Sequence, residues 1–353
     1  MHTGMSVVTL GTAGGPLIRR NPSNGHHQGI ATAVVVDSTV YLVDCGRGIT
    51  DGLAATGLRP VQLGGIFLTH HHSDHVIDLN SVMVLGGLAF RGQVDPRIDI
   101  YGPGPREVLP PYPHDGPVPD AIFPEQPTPG TAELVDLLLR AHATDLNDRR
   151  RDSKAPDISE IFRGHDIELP QHLNFHANDN NHPAMDPIEV FADERVRVTA
   201  TLVQHEPVAP AFGFRFDSKY GSVTISGDTA PSSNLVRLAA GSDLLLHEAI
   251  DLEAVAASYP NATPDELAAS MGHHRRAHTT AEDAGRIASQ AGVRHLALHH
   301  LVPAHTESQS WLKAQNTFDG ELLVPQDFDV LHVRAGKVSF ADSVTEVTET
   351  AKI

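Results

Sequence analysis

Leu63-Gly64-Gly65-Ile66-Phe67-Leu68-Thr69-His70-His71-His72-Ser73-Asp74-His75 is an apolar run that ends in histidines gathered around one aspartate. The apolar part predicts a short strand over 63–68, and a strand end is a rigid mount for whatever follows it. Alternate residues leaving a strand point the same way, so His70 and His72 can share one metal ion. The turn that follows then aims Asp74 and His75 at a neighbouring position. A histidine-rich surface turn is the alternative reading, and the apolar strand directly before it weighs against that.

Outward from this stretch, the chain reads as alternating strands and helices. Residues 6–10 form a strand that runs into Gly11-Thr12-Ala13-Gly14-Gly15-Pro16, a turn whose glycines let backbone approach a ligand closely. The runs 31–36 and 39–43 predict a hairpin that delivers Asp44-Cys45-Gly46. Asp44 can fix a ligand imidazole or the loop that carries one, or be a plain turn aspartate; Cys45 reads as packing. Strand patterning at 97–100 ends in the turn Tyr101-Gly102-Pro103, and then degrades. Prolines and glycines crowd 102–130, a helix is predicted near 132–144, and the tract 145–187 is polar. A structureless loop of that length is improbable in a compact fold, so about 103–193 reads as an insertion, a lid or an arm. Strands resume at 195–203, 212–216 and 222–226, the last leading to Asp228. A helix over 280–291 is predicted with Thr279 as its cap and Glu282 as capping-box partner. The strand 296–298 then precedes His299-His300. No repeat and no linker divides the chain, which reads as one α/β domain over 1–353 carrying that insertion.

Composition narrows the functional classes. The 26 Lys and Arg against 44 Asp and Glu give −18 with histidines neutral, which disfavours a generic nucleic-acid surface while leaving room for a local basic patch. The single cysteine, Cys45, allows neither an intrachain disulfide nor a thiolate zinc cluster, and fits a reducing cytoplasm. The start of the chain lacks a basic segment followed by an apolar run, so no membrane association is expected. The 23 histidines are dispersed, unlike a tag, and imidazole suits zinc. Arg149-Arg150-Arg151, flanked by Asp148 and Asp152, reads as a solvated charge run. His172, His176 and His182 read as a polar loop, and His273-His274-Arg275-Arg276 either meets an anionic substrate or faces water.

The His-x-His-x-Asp-His motif resembles that of the metallo-β-lactamase superfamily, which implies an αββα fold. Val8-Thr9-Leu10-Gly11-Thr12, Asp44-Cys45-Gly46, Val203-Gln204-His205, Ser226-Gly227-Asp228-Thr229, Leu246-His247-Glu248-Ala249, Ala277-His278-Thr279-Thr280-Ala281 and His299-His300 follow in the order of its tRNase Z-like branch. By that resemblance His70, His72 and His205 hold one zinc ion, Asp74, His75 and His300 hold a second, and Asp228 bridges both. Mn2+ or iron are the alternatives to zinc. His299 competes with His300, since a one-residue slip would swap their faces. The resemblance also assigns Glu248 and His278 to catalysis, a charged imidazole being a suitable proton donor to a leaving oxygen, with Asp74 counted on both the catalytic and the metal side. It implies a homodimer too.

Three functions compete. The first expectation is a dinuclear-zinc hydrolase that uses a metal-bound hydroxide on small esters: phosphodiesters, sulfate esters, lactones or amides. The second is a tRNA 3′-processing endoribonuclease. The third is a non-hydrolytic metal-binding or redox scaffold, which the His205, Asp228, Glu248 and His278 set disfavours. The acidic total and the acid-rich insertion place the small-molecule ester first and nucleic acid as an unfavoured partner.

Overall fold

Side-chain alternation along the strands decides the layering. The computed structural model describes residues 3–16, 27–113, 115–304, 306 and 308–341. The first strands in chain order are β1 (Met5–Gly11), β2 (Ala31–Val36), β3 (Thr39–Val43), β4 (Leu63–Phe67), β5 (Ile98–Pro103) and β6 (Phe162–Ile167). They are followed by β7 (Ile188–Ala192), β8 (Val196–Leu202), β9 (Phe212–Ser218), β10 (Ser222–Ile225), β11 (Leu244–Ile250), β12 (His295–Val302), β13 (Glu321–Leu323), β14 (Val330–Arg334) and β15 (Lys337–Phe340). One sheet has the order β15-β14-β1-β2-β3-β4-β5-β6 and the other β13-β12-β11-β10-β9-β8-β7.

In the first sheet Val7, Val34, Tyr41 and Phe67 face Phe212, Phe214, Phe216 and Leu246 of the second, and together they form the central core. The intervening residues, Val8, Val35, Leu42 and Ile66, face the other way and pack under helices at Ile49–Ala55, Leu79–Val84 and Thr131–Ala141. Across the sandwich, Leu245, Leu296 and Leu298 do the same under Ser233–Ala239 and Ala281–Ala291. Both faces of each sheet are thus buried, and the architecture is the αββα sandwich that the resemblance implies.

β3 to β6 run parallel, as do β10 to β13. Parallel strands bring their carboxyl ends to one edge, and ligands of such sheets bind in the crevice beyond those ends. Asp44 follows β3, the His70–His75 segment follows β4, Asp228 follows β10, and Glu248 and His300 lie near the ends of β11 and β12.

Several boundaries differ from the sequence reading. Helix 281–291 is capped by Thr280, whose hydroxyl accepts the Asp283 N–H, and not by Thr279 with Glu282. Thr279 is buried and its hydroxyl donates to the Thr229 carbonyl at 2.5 Å, so it is already engaged. β5 continues through Tyr101-Gly102-Pro103 rather than turning there, because β6 pairs along that stretch. β12 extends through both His299 and His300. Within 103–193, helices form at Thr131–Ala141 and Ala143–Ser153, while β6 and β7 join the edges of the two sheets. On Ala143–Ser153 the arginines are exposed, and Arg149 pairs with Asp145 at 2.8 Å. Among the described residues no helix is long and apolar enough to cross a membrane.

Phe67 is the side chain on which the two sheets close. Its ring lies 5.2 Å from that of Phe216, 5.6 Å from Phe214 and 5.7 Å from Tyr101. Phe67→Ala is expected to lower unfolding free energy by about 3–5 kcal/mol, the usual cost of emptying an aromatic core position. A chemical-denaturation midpoint within error of the parent chain would contradict this packing role.

Candidate metal centre

Asp44 sets the orientation of the first candidate ligands. It adopts a left-handed backbone (φ 61°), and its carboxylate accepts the Thr69 N–H at 2.8 Å, the Thr69 hydroxyl at 2.9 Å and His75 Nδ1 at 2.7 Å. A carboxylate only accepts, so His75 Nδ1 carries a proton, and in the neutral imidazole Nε2 presents a lone pair. Burial favours that neutral form, while Asp228 and Asp44 hold the group well above the usual histidine range, so a cation at Nε2 takes the place of a proton. Because the Thr69 hydroxyl gives its hydrogen to Asp44, it accepts from His70 Nδ1 at 3.1 Å, and His70 Nε2 is left as a lone pair too. The same logic holds for His205, whose Nδ1 donates to the Ala277 carbonyl at 2.8 Å.

These lone pairs converge on Asp228. Its Oδ2 lies 3.9 Å from both His70 Nε2 and His205 Nε2. Its Oδ1 lies 3.4 Å from His75 Nε2 and 3.2 Å from His300 Nε2. Asp74 Oδ2 closes the second side, 3.6 Å from His75 Nε2 and 3.5 Å from His300 Nε2, and is held by the Gly15 N–H at 2.9 Å. His72 Nδ1 closes the first, 3.2 Å from His205 Nε2. Donor atoms of His70, His72, His205 and Asp228 fall within one metal-sized group, and those of Asp74, His75 and His300 within another.

The donor set fits divalent ions. Zinc–nitrogen bonds of about 2.0–2.1 Å place two ligand nitrogens of a tetrahedron about 3.3 Å apart. His75 and His300 face each other at 3.2 Å, as do His72 and His205. His70 Nε2 and Asp228 Oδ1 are buried with no hydrogen-bond partner, which is expensive for a polar atom unless a cation meets it. Burial, reinforced by neighbouring imidazoles, holds His70 and His205 well below the usual histidine range, in the neutral ligating form.

Local backbone places the remaining members. Glu248 pairs with His299 and Ala249 with Leu301, so His300 is the extra residue of a β-bulge, with φ 44°. The bulge turns His300 into the centre, while buried His299 leans toward Thr32, 3.4 Å away. Gly14 leaves room for the His300 ring: a Cβ there would lie 2.5 Å from His300 Nδ1. Gly227 (φ 62°) makes the turn that carries Asp228, and a Cβ on it would meet the Phe212 carbonyl at 2.6 Å.

Beside the two groups lies a carboxylate–imidazole pair. His278 Nδ1 is 3.0 Å from Glu248 Oε1, and 3.9 Å from Asp228 Oδ2. Glu248 is fully buried and also accepts the Thr229 N–H at 2.9 Å. Burial opposes charge on both partners, and pushes the Glu248 carboxyl up; the Glu248 carboxylate in turn raises His278 to about 9. The backbone donor to Glu248 favours its anion, so the shared proton rests on His278.

Some residues have placements that the sequence reading did not foresee. His71, inside the motif, turns away and donates to the Thr131 hydroxyl at 2.9 Å. Thr69 holds two candidate ligands although no signal beyond its neighbours marked it, whereas Gly15 lies in the glycine-rich turn whose backbone the sequence placed close to a ligand. His273 and His274 end a helix, Pro264–Ala277, which starts on a Thr263–Glu266 capping box, and their rings lie beside His278. His172, His176 and His182 belong to none of the metal-sized groups found among the described residues.

Comparison with known proteins adds a family. The model of the metallo-β-lactamase superfamily matches residues 25–132. Ribonuclease Z of Mycobacterium avium (strain 104) is 31% identical over 339 residues, covering 94% of this chain and 99% of that one. Ribonuclease Z of Mycobacterium bovis (strain BCG / Pasteur 1173P2) is 30% identical, covering 93% and 98%. Among solved structures, the short form of human tRNase Z shares the fold with a TM-score of 0.58 at 21% identity, over 93% of this chain and 99% of that one. These relatives are named for work on RNA, which overturns the expectation of a small-molecule ester partner with nucleic acid unfavoured. The net charge of −18 describes the whole chain, whereas a bound polyanion meets only the local potential around one cleft.

Gly227→Ala tests how the backbone presents Asp228. The left-handed conformation alone costs on the order of 1–3 kcal/mol for a residue with a Cβ. The clash with the Phe212 carbonyl should also shift Asp228 and lower metal content, measured by elemental analysis of the folded variant. Unchanged stability and metal content would contradict this placement.

Proposed function

Because the chain belongs to the ribonuclease Z-like branch of the metallo-β-lactamase superfamily, we propose that it is a dinuclear-zinc endoribonuclease that trims the 3′ side of precursor tRNA. It is a metal-dependent hydrolase. The observation that carries the finer reading is the Glu248–His278 pair set 3.9 Å from Asp228, where an attacking centre and a proton donor can act on one phosphodiester.

In this proposal His70, His72 and His205 would hold one ion and Asp74, His75 and His300 the other, with Asp228 between the two groups. A bound pair of divalent ions supplies a nucleophile at neutral pH and neutralises charge that develops on the phosphate. The chain's own residues do the rest. Asp44, Thr69 and the Ala277 carbonyl keep the imidazole lone pairs aimed inward. Asp74 is held against the second group by the Gly15 N–H. Glu248 keeps a proton on His278, and His278 delivers it to the departing ribose oxygen, which leaves poorly as an alkoxide. The same proposal takes the chain as a single domain with an insertion at about 103–193, and a cytoplasmic setting goes with a tRNA substrate.

The test of the substrate is direct. Zinc-loaded protein incubated with a precursor tRNA bearing a 3′ trailer should release the trailer by a single cut, mapped by end-labelling, with loss of cutting on chelation. An intact precursor under conditions where the protein carries its metals would defeat the reading.

The proton step has its own test. His278→Ala should keep its metals, since His278 is not among the proposed ligands of either ion. On RNA it should lose about 10²–10⁴-fold in rate, the usual worth of general acid catalysis. On a bis(nitrophenyl) phosphate, whose leaving group needs no proton, the loss should be far smaller. Glu248→Gln should show a weaker form of the same contrast. Equal losses on both substrates with metals retained would point to substrate positioning instead.

A further inference from the structure

The helix Pro264–Ala277 ends beside the metal centre with two histidines that the proposed reaction does not use. His273, His274 and His278 each offer a ring nitrogen, and the three lie within 4.8 Å of one another. The His274 and His278 rings are 5.8 Å apart, and those of His273 and His278 6.2 Å apart at right angles. His274 Nδ1 is buried and has no hydrogen-bond partner. On the third member, Glu248 engages Nδ1, which leaves Nε2 as the atom available to a ligand. A carboxylate behind one imidazole nitrogen with the other nitrogen free is the usual arrangement behind a metal-bound histidine.

We propose that His273, His274 and His278 form a third divalent-cation site, filled by excess zinc, and that its occupation stops RNA cleavage by engaging the His278 nitrogen that would deliver the proton. Two neutral imidazoles, and a third that gives up its Nε2 proton as the ion binds, make with a water an ordinary zinc donor set. Burial keeps His273 and His274 below the usual histidine range, so both present lone pairs at neutral pH. The cationic neighbours Arg275 and Arg276 are exposed, and the Arg276 charge adds to burial in keeping His273 neutral. The inhibitory consequence rests on the proton-donor role proposed for His278; the binding of the ion does not.

The experiment starts from full-length protein holding its first zinc complement and adds Zn2+ alone. Bound metal is counted by equilibrium dialysis, and cleavage of a precursor tRNA is followed at each concentration. The parent protein should take up one further ion as cleavage falls. In the His273→Ala/His274→Ala variant, affinity for that ion should weaken at least about tenfold, since loss of even an outer partner of a metal site costs 10–100-fold. Its cleavage should resist the same zinc concentrations. The milder His273→Gln variant should give the same direction of change and guards against misfolding of the double variant, with the thermal midpoint as the check. No further ion on the parent protein, or equal uptake by the double variant, would overturn the site. Uptake that the double variant abolishes, without a fall in cleavage, would uphold the site and overturn the donor role of His278.

Discussion

The constraint on which this structure turns is the convergence of electron pairs in a buried space. His70, His75 and His205 are locked by their outer nitrogens, so that each aims its Nε2 inward, and Asp228 places a carboxylate among them. Without a cation this arrangement would leave His70 Nε2 and Asp228 Oδ1 buried and unmet, at a cost of about 1–3 kcal/mol for each. Affinity for metal is therefore built into the geometry: the protein fold supplies the rigidity, and the ions relieve the repulsion.

The scaffold is organised around keeping that convergence in place. Two sheets close on Phe67 and its aromatic neighbours, and the carboxyl ends of both parallel runs reach the same edge. Each candidate ligand then sits within a few residues of a strand end, where packing fixes the backbone. Departures from regular structure occur where a ligand must be re-aimed. Asp44 and His300 adopt positive φ, Gly227 turns the chain beneath Asp228, and a bulge in β12 separates the roles of two adjacent histidines. Strain of this kind persists only where surrounding structure holds it.

Much of this was legible in the sequence because it was local. The strand before His70, the hairpin before Asp44 and the alternation of β8 and β9 follow from side-chain period alone. Choosing His300 over His299 required the family resemblance, because strand alternation could not foresee a bulge. The cap of helix 281–291 slipped by one residue because Thr279 and Thr280 are equally good caps on paper. What separates them is the Thr229 carbonyl, fifty positions away in sequence. The edge strand β6 lies in a polar tract with weak patterning, so pairing with β5, rather than local propensity, makes it a strand. The substrate class was the largest miss, since net charge has no memory of where the charges lie.

The central claim is that two ions occupy this centre, sharing Asp228, and anomalous scattering from crystals of the zinc-loaded protein tests it most directly. The account predicts two peaks about 3.5–4 Å apart, the spacing usual for two-metal hydrolytic sites, one on His70, His72 and His205, the other on Asp74, His75 and His300, with Asp228 touching both. A single peak, or ions lying away from Asp228, would contradict it.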